Sequence, residues 1–140
     1  MLKVRLQNLG DFAILHLQGG IVIGNTAILR NSVLSQSGVR VLVLDMTGVN
    51  RIDASGLGVL LEIREYLQSR AIDLKLMNVP ALIRQVLEIT RLDSIFEIIA
   101  EEQLLSPSLS RTIGSGVYWE RVASQKTSIY SVPDEELVES

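Results

Sequence analysis

The chain has 140 residues and no cysteine, which excludes disulfides, thiolate metal sites and a cysteine nucleophile. Hydrophobic residues make up 47% and charged residues 21%, an ordinary balance for one compact domain. The net charge of −3 is unevenly placed: residues 1–100 carry ten Lys/Arg against nine Asp/Glu, and residues 101–140 carry three against seven. Neither part has the basic stripe that nucleic-acid binding requires. The start is not signal-like and no apolar run is long enough to span a bilayer. The expectation is a cytoplasmic protein without direct membrane insertion.

In chain order, "LKVRLQ" alternates Leu2, Val4 and Leu6 with Lys3, Arg5 and Gln7, the pattern of an edge strand. "DFAILHLQG" follows a turn-like "NLG", so the two runs predict a hairpin. The Gly-rich "GGIVIG" is read as a loop. Asn25 or Thr26 can cap a helix that reaches about Ser37 and is closed by Gly38. "VRVLVLDM" (39–46) is apolar on both faces, as in a deeply buried central strand.

Residues 53–70 then show helical spacing through Leu57, Leu60, Leu61 and Leu67, with Ile63 widening the stripe. "AIDLKLM" (71–77) alternates as a strand. Pro80 stands near the start of a further helix that places Leu82, Ile83, Val86 and Leu87 on one face. "DSIFEIIA" (93–100) closes the series as a short strand.

The order β-β-α-β-α-β-α-β predicts an α/β domain over residues 1–100, with packed helices on a mixed, mostly parallel sheet of four to five strands. Residues 101–140 are acidic, rich in Ser and Thr, and without clear period. They are read as a flexible tail. The only tryptophan, Trp119, stands there beside Tyr118, and docking of this pair is the competing reading.

The segment "RIDASGLGVL" (51–60) carries the chemistry. Asp53 or Ser55 can cap the helix by accepting a backbone N–H. Gly56 and Gly58 allow a turn and close approach, and Leu57 is expected in the core. The same helix start attracts anions. A phosphate on a serine there would add about −1.5 to −2 charge beside Asp53, enough to abolish docking of a partner without unfolding the domain.

"VLVLDMTGVNRIDASGLGVLLEIREYL" resembles the signature of STAS domains, specifically the bacterial anti-sigma factor antagonists. "LKLMNVPALIRQVLEITRLDSIFEI" resembles the family's closing strand, helix and strand. The resemblance covers roughly residues 1–100 and implies a STAS-like fold and a non-enzymatic binding module. Its implied partner is an anti-sigma factor that is also a serine kinase. Binding it releases a sigma factor, phosphorylation switches the antagonist off, and a phosphatase resets it. The implied docking residues are Asp53, Ala54, Ser55, Gly56, Leu57 and Gly58.

Two departures qualify this. The family's phosphorylated hydroxyl residue directly follows the Asp, and here that position is Ala54. Either Ser55 is the phosphoacceptor, or the module binds constitutively, or it serves as a scaffold outside the kinase cycle. Loss of the usual switch ranks above its transfer, because one residue along a helix turns the side chain by about 100°. In the preceding loop, Thr26-Ala27 matches the family but Ile23 occupies the place of its Asp.

A STAS-type regulatory subunit of a transporter, or a signalling scaffold, is the alternative reading. A small nucleotide-binding α/β protein is the weaker one. Gly56-Leu57-Gly58 is neither a P-loop nor a dinucleotide fingerprint. His16, the single histidine, is expected to be an ordinary face residue with no acid convergent on it. Asp45 and Asp53 flank a presumptive loop and could in principle hold Mg²⁺, but Asp45 is read as bonding the loop after its strand. No catalytic residue, resident metal or cofactor is expected.

Overall fold

The computed structural model describes residues 1–101 and the backbone of residues 137–139. The expected tail, with Tyr118 and Trp119, otherwise lies outside the described residues. Two strands, β1 (Lys3–Asn8) and β2 (Phe12–Ile21), form the expected hairpin. Then follow α1 (Thr26–Leu34), β3 (Val41–Ile52), α2 (Ala54–Ser69), β4 (Asp73–Met77), α3 (Ala81–Ile89), a 3₁₀ turn at Leu92–Ser94 and β5 (Glu97–Ile99). Five strands thus come from the body, as expected. A sixth, β6 (Leu137–Glu139), pairs antiparallel with β1 and occupies its outer edge.

The sheet order is β5-β4-β3-β2-β1-β6. Strands β2 to β5 are mutually parallel. The central strand is longer than its apolar run, because β2 continues through Gly19, Gly20 and Ile21, which pair with Val49, Arg51 and Ile52. The "GG" is therefore strand rather than loop. Two register shifts, between His16 and Gln18 and between Gly19 and Gly20, absorb the irregularity as β-bulges do. Gly19 has a φ of +112° and lies against the Met1 backbone, a position open only to glycine.

The first face of the sheet carries Ala13, Leu15, Leu17, Leu42, Leu44 and Leu76. All three helices pack on it. α1 contributes Ile28, Leu29 and Val33, α2 contributes Val59, Leu60, Ile63 and Leu67, and α3 contributes Ile83 and Leu87. A bidentate pair from Arg30 Nε and Nη2 to the Glu62 carboxylate, at 2.6 and 3.1 Å, ties α1 to α2. The second face holds a separate cluster of Leu9, Phe12, Ile14, Val41, Val43, Met77 and Ile99, to which no described helix contributes.

Further expectations change. The last strand is confined to Glu97–Ile99 rather than 93–100, because Leu92–Ser94 form the 3₁₀ turn. Helix α1 ends at Leu34 rather than near Ser37. Leu82 is 63% exposed, because α3 is anchored through Ile83 and Leu87, one turn apart. Leu57 is only half-buried at the rim of the first core.

Candidate functional site

The α2 start sits where β3 ends, beside the loop that follows β2. Asp53 is the N-cap in extended conformation, and its Oδ1 accepts from Gly56 N at 2.9 Å. Its Oδ2 accepts from the backbone N–H of Ile23 at 3.0 Å. One carboxylate thus joins the helix start to the loop after β2. The Ile23 and Gly56 amides, in that order of effect, hold the Asp53 carboxyl below its ordinary range, as charge-assisted bonds to the ionised form do. A carboxyl lowered by folding stabilises above the ordinary carboxylate range, and that contribution is lost as pH falls through its folded value. Asp53→Ala is therefore expected to lower Tm at neutral pH and to match the parent in strong acid. Thermal melts across pH check this, and an equal gap at all pH values refutes it.

The six expected docking residues sort by environment. Ala54, Ser55 and Gly58 are exposed, Asp53 and Leu57 are half-buried, and Gly56 is buried. A Cβ on Gly56 would collide with the Ile21 carbonyl oxygen and lie 2.8 Å from Ile52 Cγ1, whereas nothing stands within 4 Å of one on Gly58. Gly56 thus serves the close approach of helix to strand, and Gly58 does not. What remains outward is a small-residue platform of Ala54, Ser55 and Gly58.

Apolar side chains border it. Ile23 is 77% exposed, and its amide is fixed on Asp53 as described. A cleft of about 220 Å³, lined by Val22, Asn50, Ile52, Asp53, Leu82 and Val86 among others, runs from the cap to α3. Exposed Ile23 and Leu82 add apolar surface near this cleft.

The other candidates lie elsewhere. Asp45 Oδ2 accepts from His16 Nδ1 at 2.7 Å, while Oδ1 accepts from Thr47 N at 3.1 Å and Thr47 Oγ1 at 2.6 Å. His16 therefore does meet an acid, because parallel register places it opposite Asp45. Nothing local in the sequence signals that pairing. Its other nitrogen, Nε2, faces Gln7 Oε1 at 3.2 Å. Burial alone would raise the Asp45 carboxyl. The His16 and Thr47 hydrogen bonds outweigh it and hold the carboxyl below its ordinary range. The stretch between Asp45 and Asp53 is strand, not loop, and each carboxylate is committed to other donors. Among the described residues no group of three or more metal-ligating side chains converges.

With this geometry in view, the comparison with known proteins is specific. The profile of the STAS domain matches residues 3–105. The chain belongs to the STAS domain family. Solved structures agree on the fold. A Thermotoga maritima protein described as a candidate anti-sigma factor antagonist is 24% identical, with a TM-score of 0.63 over 69% of this chain and 85% of its own. The phosphorylated form of the Bacillus cell-fate determinant SpoIIAA is 19% identical, with a TM-score of 0.57 over 73% of this chain and 96% of its own. A sulfate transporter family protein from Wolinella succinogenes is 23% identical, with a TM-score of 0.59 over 66% and 78%. This STAS domain thus resembles both antagonists and transporter-associated domains in architecture. Among its described residues no helix is long and apolar enough to cross a membrane.

Proposed function

We propose that this STAS domain is a protein-binding regulator that docks an anti-sigma factor of the serine-kinase type and so releases a sigma factor. The observation that carries the reading is the outward platform of Ala54, Ser55 and Gly58, flanked by Ile23 and Leu82 and held from beneath by Asp53. Small residues let a partner backbone approach, and the apolar flanks supply desolvation energy. Where an acidic loop residue would be expected on this face, Ile23 offers apolar surface, so this interface is less charged than the family pattern implies.

Regulation follows from the same residues. Ala54 has no hydroxyl, so constitutive docking is the first reading and phosphorylation of Ser55 the second. Ser55 is exposed at the helix start, and a phosphate there would place charge beside the Asp53 carboxylate. Under the second reading a phosphatase would restore docking. Incubation with the cognate kinase and ATP, followed by phosphosite mapping, separates the two. Phosphate on Ser55 supports the second reading, and its absence removes that reading.

Ser55→Asp is expected to weaken partner binding at least tenfold with little change in Tm. That factor corresponds to about 1.4 kcal/mol of lost binding energy. Calorimetry against a co-purified ATP-binding anti-sigma partner measures it, and unchanged affinity would remove this face as the interface. The fold shared with the Wolinella transporter-family protein supports a second reading, a permanently docked regulatory subunit. Stable co-purification with a transporter rather than a small kinase selects it.

A further inference from the structure

The cap of α2 and the outer side of α3 share one continuous apolar surface. The cleft beside Asp53 has walls of Val22, Ile52, Leu82, Ile83 and Val86, and α3 carries that surface onward. At about 100° per residue, Leu82, Val86 and Ile89 fall within a stripe about 60° wide, while the anchors Ile83 and Leu87 turn towards the sheet. Leu82 is 63% and Ile89 78% exposed, and Val86 is half-buried. A single exposed apolar side chain is ordinary, but an aligned row that runs into a cleft forms a patch.

The charge left over on this surface has one sign. Asp53 lines the cleft, but both its oxygens accept backbone amides. Glu62 is held by Arg30 through two bonds. Arg51 lines the same cleft and is exposed, and it forms no ion pair among the described residues. Register places it there: Arg51 stands near the end of β3 opposite Gly20, which has no side chain to cover it. An arginine on an apolar rim rests its stem on that surface and keeps its guanidinium in water.

We propose that this surface receives an acidic amphipathic segment of the anti-sigma factor. The contact rests on the antagonist reading above and adds to the platform of Ala54, Ser55 and Gly58. Apolar side chains of the segment fill the cleft and lie along Leu82, Val86 and Ile89, and a carboxylate at its edge pairs with Arg51. A guanidinium matches a carboxylate bidentately. A charge pair at a rim sets register and partner choice more than raw affinity. Arg51 is therefore a specificity residue: it admits a partner with an acid at that point and repels one with a base.

Calorimetry of the full chain against the co-purified ATP-binding anti-sigma partner tests the contact. Arg51→Glu, and Leu82→Ser combined with Ile89→Ser, are each expected to weaken binding about tenfold with little change in Tm. Arg64→Glu makes the same charge change further along α2, beside Asp73 and Leu74, and is expected to leave the affinity unchanged. An acid-to-lysine scan of the partner is expected to find one substitution that restores binding to the Arg51→Glu variant. Weakening by Ser55→Asp but not by Arg51→Glu overturns this contact and leaves the proposed function standing. Equal losses with Arg51→Glu and Arg64→Glu also overturn it, since net charge would then be the cause. Light scattering that shows pairs of this chain dispersed by Leu82→Ser makes a second copy the occupant and overturns it too. If no substitution alters the affinity, Ser55→Asp included, the α2 face is not the interface and both proposals fall.

Discussion

Gly56→Ala and Gly58→Ala are expected to change stability in opposite directions, although they insert the same methyl group two residues apart in one helix. At Gly56 the new Cβ meets the Ile21 carbonyl oxygen, a backbone atom that cannot swing aside, and lies 2.8 Å from Ile52 Cγ1. Relief requires moving α2 away from β2. That would stretch the Asp53 cap and its bond to Ile23 N. Overpacking of this kind costs about 3 kcal/mol or more when the obstacle is rigid. At Gly58 nothing stands within 4 Å, its φ is not positive, and alanine is the better helix former. A gain of up to about 1 kcal/mol is expected. Urea unfolding of the two variants checks both signs. Equal effects would mean that the helix does not rest on the Ile21 backbone.

Asp45→Asn carries the second large effect. Asp45 is 5% exposed and its carboxylate accepts from His16 and from both donors of Thr47. An ionised carboxylate only accepts, so His16 Nδ1 must donate. An amide at this place removes the charge and can present a donor to a donor. Leaving a buried donor without its acceptor costs about 1–3 kcal/mol. The sign with pH is fixed by the lowered carboxyl of Asp45. Its contribution is complete above the ordinary carboxylate range and disappears as pH falls through the folded value. The gap between parent and variant should therefore be greater at neutral pH and should narrow as pH falls below the ordinary carboxylate range. A gap unchanged in acid would show that packing, not charge, is responsible.

The α2 helix was legible because its apolar period, its Asp cap and its glycines agree, and the structure returns it at Ala54–Ser69. The succession of strands and helices along the body was legible from its apolar periods and turn residues. Residues 47–52 were not, because "TGVNRI" lacks alternation and becomes strand only by pairing with a β2 that runs through two bulges. His16 with Asp45 is likewise a product of register. Leu82 misled because an apolar residue adjacent to a helix stripe reads as part of it, although two buried anchors suffice for a nine-residue helix. At the site, the motif located the helix start. Its division into a buried glycine, a structural cap and an exposed platform depends on how near Ile21 comes, and distance across the fold leaves no local mark. β6 is three residues long, too short for any periodicity to show.

The pairing of Lys3 with Glu139 sets an order of events during synthesis. Strand β1 can close its hairpin with β2 as soon as both have left the ribosome, because their contacts are local. Its other edge must wait until residues 137–139 are made. At a translation rate of roughly 5–20 residues per second, the nascent domain spends seconds with that edge unsatisfied. An open strand edge recruits other strands, so neighbouring chains on one messenger have a window in which to join through β1. A stall late in translation would lengthen that window, and added charge on the outer side of β1 should shorten the list of accidental partners.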